Sequence, residues 1–159
     1  MSEKKRILVI DDDKIVLESF RKTLELEGYI VDAVETGKEA VEKSNRAPYN
    51  LALIYIRLPD MEGTELLSAM RDRVPKMVKI IVTGYPSQEN AVEAVNKGAD
   101  SYIIKPVLNM GEFLKTIKEQ LRKQQEAKKF DEKKVVEFIE ARAEEHEARV
   151  SAKRKQKKK

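Results

Sequence analysis

The stretch LALIYIRLPDMEG, residues 51–63, is an apolar run that passes directly into a polar loop. Its first six residues are all apolar, which is typical of a strand covered on both faces of a parallel sheet. A helical pattern, GTELLSAMRDR, follows at residues 63–73. A buried strand, a loop and a helix in this order predict one unit of an α/β fold.

Four similar apolar runs share this arrangement and precede further helical patterns: RILVI (6–10), YIVDAV (29–34), VKIIVT (78–83) and SYIIK (101–105). Five strands that alternate with helices predict a doubly wound, five-stranded parallel sheet. The run 29–34 contains Asp32, so of the five strands it is the one best suited to an edge position in the sheet. Thr36 and Glu39 have the spacing of a helix-capping box.

Composition limits the function classes that are open to the chain. No apolar run approaches the roughly 20 residues of a membrane span, and no secretory leader is evident, so a cytoplasmic protein is expected. The chain has no cysteine and one histidine, His146, which excludes disulfides and multi-histidine metal sites. The net charge of +4 is uneven, because residues 1–150 carry 26 basic and 28 acidic side chains and SAKRKQKKK (151–159) carries six basic ones.

Polar side chains cluster directly after the strands, where ligands bind in open parallel sheets. Asp11, Asp12 and Asp13 follow the first run, Thr83 ends the fourth, and Lys105 ends the fifth. Adjacent carboxylates favour a hard cation such as Mg²⁺, and a hydroxyl with an ammonium suits a phosphoryl group. Asp13 precedes a helical pattern, and its position favours an N-cap over a ligand by about three to one.

With these residues in this order, the chain resembles the receiver domain of response regulators over residues 5 to about 122. The resemblance implies a flavodoxin-like sheet of order 2-1-3-4-5. It also implies that Asp11, Asp12 and the carbonyl of Arg57 hold Mg²⁺. Thr83 is then the switch hydroxyl, Tyr102 the switch aromatic, and Lys105 the contact to the phosphoryl group.

Tyr55 departs from the family pattern, because the resemblance places the phosphoacceptor aspartate at this position. A phenol with a pKa near 10 is neutral and cannot form an acyl phosphate. The family's phosphorylation is therefore expected to be lost and the magnesium affinity weakened. Tyr55 is either natural or an introduced change. We expect one fixed conformation of Tyr102, with its ring facing solvent.

The segment 112–159 contains no Gly or Pro and predicts a long C-terminal helix. Its first part is expected to pack on the sheet and to end a receiver-like domain at residue 122, through Phe113, Leu114, Ile117 and Leu121. Residues 123–150 are then a charged extension that starts with a solvated stretch or linker. Apolar residues from Val136 to Val150 recur in a/d register, which suits self-association as well as a helix folded back on the receiver. Residues 151–159 are expected to be a disordered basic tail.

Together these patterns predict a single-domain, non-enzymatic response regulator of a two-component phosphorelay that acts by protein–protein interaction. Its partners would be a sensor histidine kinase or phosphotransfer protein and a downstream protein, and a homodimer with a second copy is a further option. The alternative hypothesis is a phosphorylation-independent scaffold, or a nucleic-acid adaptor that binds through the basic tail.

Overall fold

The computed structural model of the chain describes residues 4–70 and 76–157. Strands and helices alternate along the described sequence from β1 to α5. Their bounds are β1 Arg6–Ile10, α1 Lys14–Leu26, β2 Ile30–Val34, α2 Gly37–Arg46, β3 Leu51–Tyr55, α3 Gly63–Ala69, β4 Val78–Thr83, α4 Gln88–Asn96, β5 Ser101–Ile104 and α5 Met110–Lys157.

The five strands form one sheet of order β2-β1-β3-β4-β5, and every pairing is parallel. The predicted doubly wound α/β fold is confirmed. The strand with Asp32 lies at one edge, where Asp32 accepts a hydrogen bond from the hydroxyl of Tyr49 and lies 3.5 Å from Arg6. These two partners are what allow a carboxylate in a largely apolar strand.

Alternate residues of the central strands point into two separate apolar clusters, one on each face of the sheet. The first cluster combines Leu8, Ile10, Ala52, Ile54 and Ile81 with buried residues of α2, α3 and α4. The second combines Ile7, Val9, Leu51, Leu53 and Val82 with buried residues of α1 and α5. Coverage on both faces is the reason why these strands are apolar at successive positions.

Side chains from the preceding loops cap the first turns of several helices, including α1 and α2. Asp13 accepts hydrogen bonds from the amides of Ile15 and Val16, so its predicted role as the N-cap of α1 is confirmed. Thr36 caps α2, and its hydroxyl also bonds Glu39 in the predicted capping box. These caps fix where each helix begins relative to the end of the preceding strand.

Helix α5 extends over 48 residues, and its first part packs on the sheet. Phe113, Ile117 and Leu121 are buried there, and Phe113 stacks on Phe20 with 5.0 Å between the ring centroids. The side-chain amide of Gln124 donates to the carbonyls of Asn50 and Lys76 at 2.9 and 2.7 Å. A compact unit of the chain ends at this glutamine, and Gln125–Lys159 forms the second unit.

The second unit is helical through Lys157. This confirms the long C-terminal helix predicted for this segment. It also shows helix up to residue 157, where a disordered tail was expected after residue 150. The physical reason is composition, because Lys, Arg, Gln, Glu and Ala all have high helix propensity and no Gly or Pro interrupts them. Within the described ranges, none of the helices is both long and apolar enough to cross a bilayer.

Candidate functional site

The parallel arrangement brings four of the predicted site residues to one edge of the sheet. Asp11 directly follows β1, Tyr55 is the last residue of β3, Thr83 is the last residue of β4, and Lys105 directly follows β5. The ammonium of Lys105 is the centre of the cluster, since it contacts both the Asp11 carboxylate and the Tyr55 ring. The peptide bond that joins Lys105 to Pro106 is cis.

Asp11 and Lys105 form an ion pair whose side chains are only 3% and 16% exposed. Lys105 Nζ donates to Asp11 Oδ2, and the amide of Asp13 donates to Asp11 Oδ1 at 3.0 Å. Burial raises the pKa of the Asp11 carboxyl, and the hydrogen bond from Lys105 opposes that rise. A buried carboxylate therefore depends on this lysine for its charge balance.

Tyr55 places its ring beneath the same ammonium, with Lys105 Nζ 3.9 Å from the ring centroid. This is the geometry of a cation–π interaction. Burial raises the pKa of the Tyr55 phenol above its ordinary value of 10.0, and the charges of Asp11 and Asp12 raise it further. The side chain is therefore a neutral phenol at physiological pH.

Thr83 and Tyr102 lie on β4 and β5, the last two strands of the sheet. Thr83 is buried, and its hydroxyl accepts a hydrogen bond from the amide of Tyr85 at 3.0 Å. The hydroxyl of Tyr102 is also buried, and it has no hydrogen-bond partner in the described part of the chain.

The expectation that Tyr102 faces solvent is wrong. Its ring packs against the apolar cluster that contains Ile81, its partner in the sheet register. The physical reason is that a phenol ring gains more from contact with this cluster than its hydroxyl loses by leaving water.

Arg57 and Asp12 lie outside the buried cluster, and both side chains are exposed. The guanidinium of Arg57 lies over the ring of Tyr85, 4.5 Å from its centroid. Sequence reasoning missed Tyr85 as part of this edge. The signal that could have identified it is its position two residues after Thr83, at the carboxyl end of a central strand.

The loop after Tyr55 is held by two close contacts. Asp60 accepts hydrogen bonds at 2.9 Å from the amides of Gly37 and Lys38, which lowers its pKa and ties the loop to the start of α2. A Cβ at Gly63 would lie 2.5 Å from the carbonyl oxygen of Tyr55. Glycine is therefore needed where α3 begins against the end of β3.

The donor set of this edge does not fit a tight site for a divalent cation. One oxygen of Asp11 is bound by Lys105, Asp12 is exposed, and a neutral phenol ends β3. In residues 4–70 and 76–157, no three acidic or histidine side chains are grouped so that they could hold a metal. Hard cations require several oxygen ligands, so the residues present favour weak binding at most.

Residues 7–118 match the family model of the response regulator receiver domain. The chain belongs to this family. A receiver domain protein from Methanospirillum hungatei, described as CheY-like, is 49% identical with a TM-score of 0.76, and the alignment covers 79% of this chain and 99% of that one. A response regulator from Burkholderia pseudomallei, solved with a phosphorylated aspartic acid, a calcium ion and citrate, is 28% identical with a TM-score of 0.68. That alignment covers 79% of this chain and 73% of the other.

Among curated proteins, the receiver domain is similar to the alginate biosynthesis transcriptional regulatory protein AlgB of Pseudomonas aeruginosa. The two are 37% identical over 106 residues, which is 66% of this chain and 24% of AlgB. The chain thus spans only a small part of the length of such relatives. Receiver domains serve two-component signalling, generally without enzymatic activity of their own, and they generally bind Mg²⁺ at an acidic site.

Proposed function

We propose that this receiver domain signals by protein–protein interaction and takes no phosphoryl group by the family mechanism, because Tyr55 occupies the phosphoacceptor position. The position of Tyr55 supports this proposal, since it ends β3 between the strands that carry Asp11 and Lys105. The Burkholderia pseudomallei relative carries its phosphoryl group on an aspartic acid. A phenol has no carboxyl group with which to form such an acyl phosphate.

The contact of Lys105 with Tyr55 is the observation that carries the proposal. The ammonium sits over the aromatic ring and on the Asp11 carboxylate, so its charge is already balanced within the chain. An incoming phosphoryl group would have to compete for this lysine with a buried carboxylate. Tyr55 also contacts this lysine, and its neutral ring offers no carboxylate to carry a phosphoryl group.

The proposed partners follow from the family. A sensor histidine kinase or a phosphotransfer protein binds the receiver, and a downstream protein binds its surface. Mg²⁺ binds weakly, because only Asp11, Asp12 and the carbonyl of Arg57 remain as donors. When bound, the ion supplies charge neutralisation beside the carboxylates. In this function the receiver contributes a binding surface and leaves the transfer of phosphate to other proteins.

Binding of beryllium fluoride, a phosphoryl mimic, tests the proposal. Fluorine NMR of the full chain with Mg²⁺ and beryllium fluoride is expected to show no bound signal. The Tyr55→Asp protein is expected to show a saturable bound signal, because Thr83 and Lys105 already stand at the same edge. Tyr55→Phe is the matched control and should show no bound fluorine signal. A saturable signal from the unmodified chain would overturn the proposal.

A further inference from the structure

The second unit, Gln125–Lys159, carries an exposed apolar stripe along one side of its helix. Val136 and Ile139 are 52% and 60% exposed, and Val135 beside them is 57% exposed. Ala143 and Val150 continue the same line at spacings of four and seven residues. Neighbouring exposed apolar residues on one side of a helix are typical of a surface that a partner covers.

The stripe follows a heptad pattern, written abcdefg, over residues 135–150. Ile139 and His146 hold the d positions, and the a positions are filled by small or β-branched residues. The full set is Val136, Ala143 and Val150 at a, Ile139 and His146 at d, Glu140 and Glu147 at e, and Val135, Arg142 and Arg149 at g. Valine at a is compatible with a two-stranded assembly.

The charges beside the stripe select one orientation of a second copy. The e positions are acidic, and two of the three g positions are basic. In a parallel pair, g of one helix faces e of the next heptad of the other, which sets Arg142 against the second copy's Glu147. In an antiparallel pair, e faces e and g faces g, which sets Glu140 against Glu147 and Arg142 against Arg149. Charge complementarity therefore favours the parallel pair.

We propose that residues 135–150 form a parallel two-stranded coiled coil with the same segment of a second copy of this chain. The association is weak, because only about two heptads carry the pattern. Ala143 at a and His146 at d also leave the centre underfilled. Beyond Val150, Arg149 would face the second copy's Arg154, and this like-charge contact ends the coiled coil. The dissociation constant of the pair is therefore expected to be roughly micromolar to millimolar, which is typical of weak complexes.

Sedimentation equilibrium of the full chain over a wide concentration range tests the association. The apparent mass is expected to rise from monomer toward dimer as concentration increases. Ile139→Asp, at d, should return the mass to monomer at every concentration. Ala141→Asp is the matched control, because it introduces the same charge two residues away at f, the position farthest from the stripe, and should leave association within about twofold of the unmodified chain. A monomer throughout, or equal effects of the two changes, would overturn the proposal.

The change Glu147→Arg tests the orientation. In the parallel pair the introduced guanidinium faces Arg142 of the second copy, and this like-charge contact should weaken association at least tenfold. In an antiparallel pair the same guanidinium would face Glu140 and strengthen association. The double change Arg142→Glu with Glu147→Arg restores opposite charges in the parallel pair and should recover the affinity of the unmodified chain. Stronger association of the single variant would overturn the parallel arrangement.

Discussion

At the scale of single residues, Lys105 links two groups of the candidate site, the Asp11 carboxylate and the Tyr55 ring. Its ammonium neutralises the buried Asp11 carboxylate and lies over the Tyr55 ring. A carboxylate at position 55 would add a negative charge beside Asp11 and Asp12, whereas the phenol is neutral at physiological pH and burial raises its pKa further. The Asp11 carboxylate is therefore neutralised by Lys105 within the chain, which is the physical basis of the proposed function.

Tyr102 provides a stability prediction at the same scale. Its hydroxyl is buried and has no partner among residues that the structure describes. An unpaired buried hydroxyl costs free energy, so Tyr102→Phe should raise the free energy of unfolding by about 1 kcal/mol. Urea denaturation at neutral pH measures this change. A loss of stability would show that the hydroxyl has a partner and that the inward orientation serves a hydrogen bond.

At the scale of elements, the junction between β3 and α3 depends on Gly63. A Cβ there would lie 2.5 Å from the Tyr55 carbonyl oxygen and 2.9 Å from the Ile56 Cα, and backbone atoms cannot easily move. Gly63→Ala should lower the free energy of unfolding by about 1–3 kcal/mol. Gly84→Ala is the matched control, since the nearest atom lies 3.9 Å away, and it should change stability by less than about 0.5 kcal/mol. Equal effects in thermal denaturation would contradict this account of the junction.

The edge strand β2 gives a prediction about pH. Burial and the hydrogen bond to Asp32 raise the pKa of Tyr49 to about 12, from 10.0 in the unfolded chain. A raised folded-state pKa means that the unfolded chain releases this proton first, so stability should fall as pH rises from 10 toward 12. Tyr49→Phe should flatten that fall. Urea denaturation at stepped alkaline pH measures it, and parallel curves for the two proteins would contradict the prediction.

The strands and the site differ in how far the sequence predicts them. The run 51–56 is apolar at every position, so its burial and its place in the sheet could be predicted from pattern alone. The meeting of Asp11 and Lys105 could be predicted as well, because parallel strands bring their carboxyl ends to one edge. The direction of the Tyr102 ring could not, because a residue on an edge strand can turn toward solvent or toward the cluster without a change of register. The contact between Tyr55 and Lys105 likewise depends on side-chain packing that no local pattern encodes.

At the scale of the whole molecule, the chain combines a receiver domain with a helix that carries its own recognition pattern. We propose that the two units have different functions. The receiver is proposed to present a binding surface, and residues 135–150 are proposed to pair with a second copy of the chain. Pairing by the extension would require no phosphoryl group, which agrees with the proposal that the receiver takes none.

His146 at the centre of the proposed coiled coil provides a prediction at this scale. A polar side chain at d weakens a two-stranded core, so His146→Leu should tighten association at least tenfold. Sedimentation equilibrium of the full chain measures the change. His146 is exposed in the single chain, so the folding of the monomer should be unaffected. An unchanged or weaker association would show that His146 lies outside the interface.

Incubation with acetyl phosphate tests the central claim most directly. The unmodified chain and Tyr55→Asp are treated with acetyl phosphate and Mg²⁺, and intact mass spectrometry measures covalent phosphoryl groups. We predict no phosphorylated species for the unmodified chain and one base-labile phosphoryl group on the Tyr55→Asp protein. A phosphorylated species of the unmodified chain, or none on the Tyr55→Asp protein, would contradict the assignment of Tyr55 to the phosphoacceptor position.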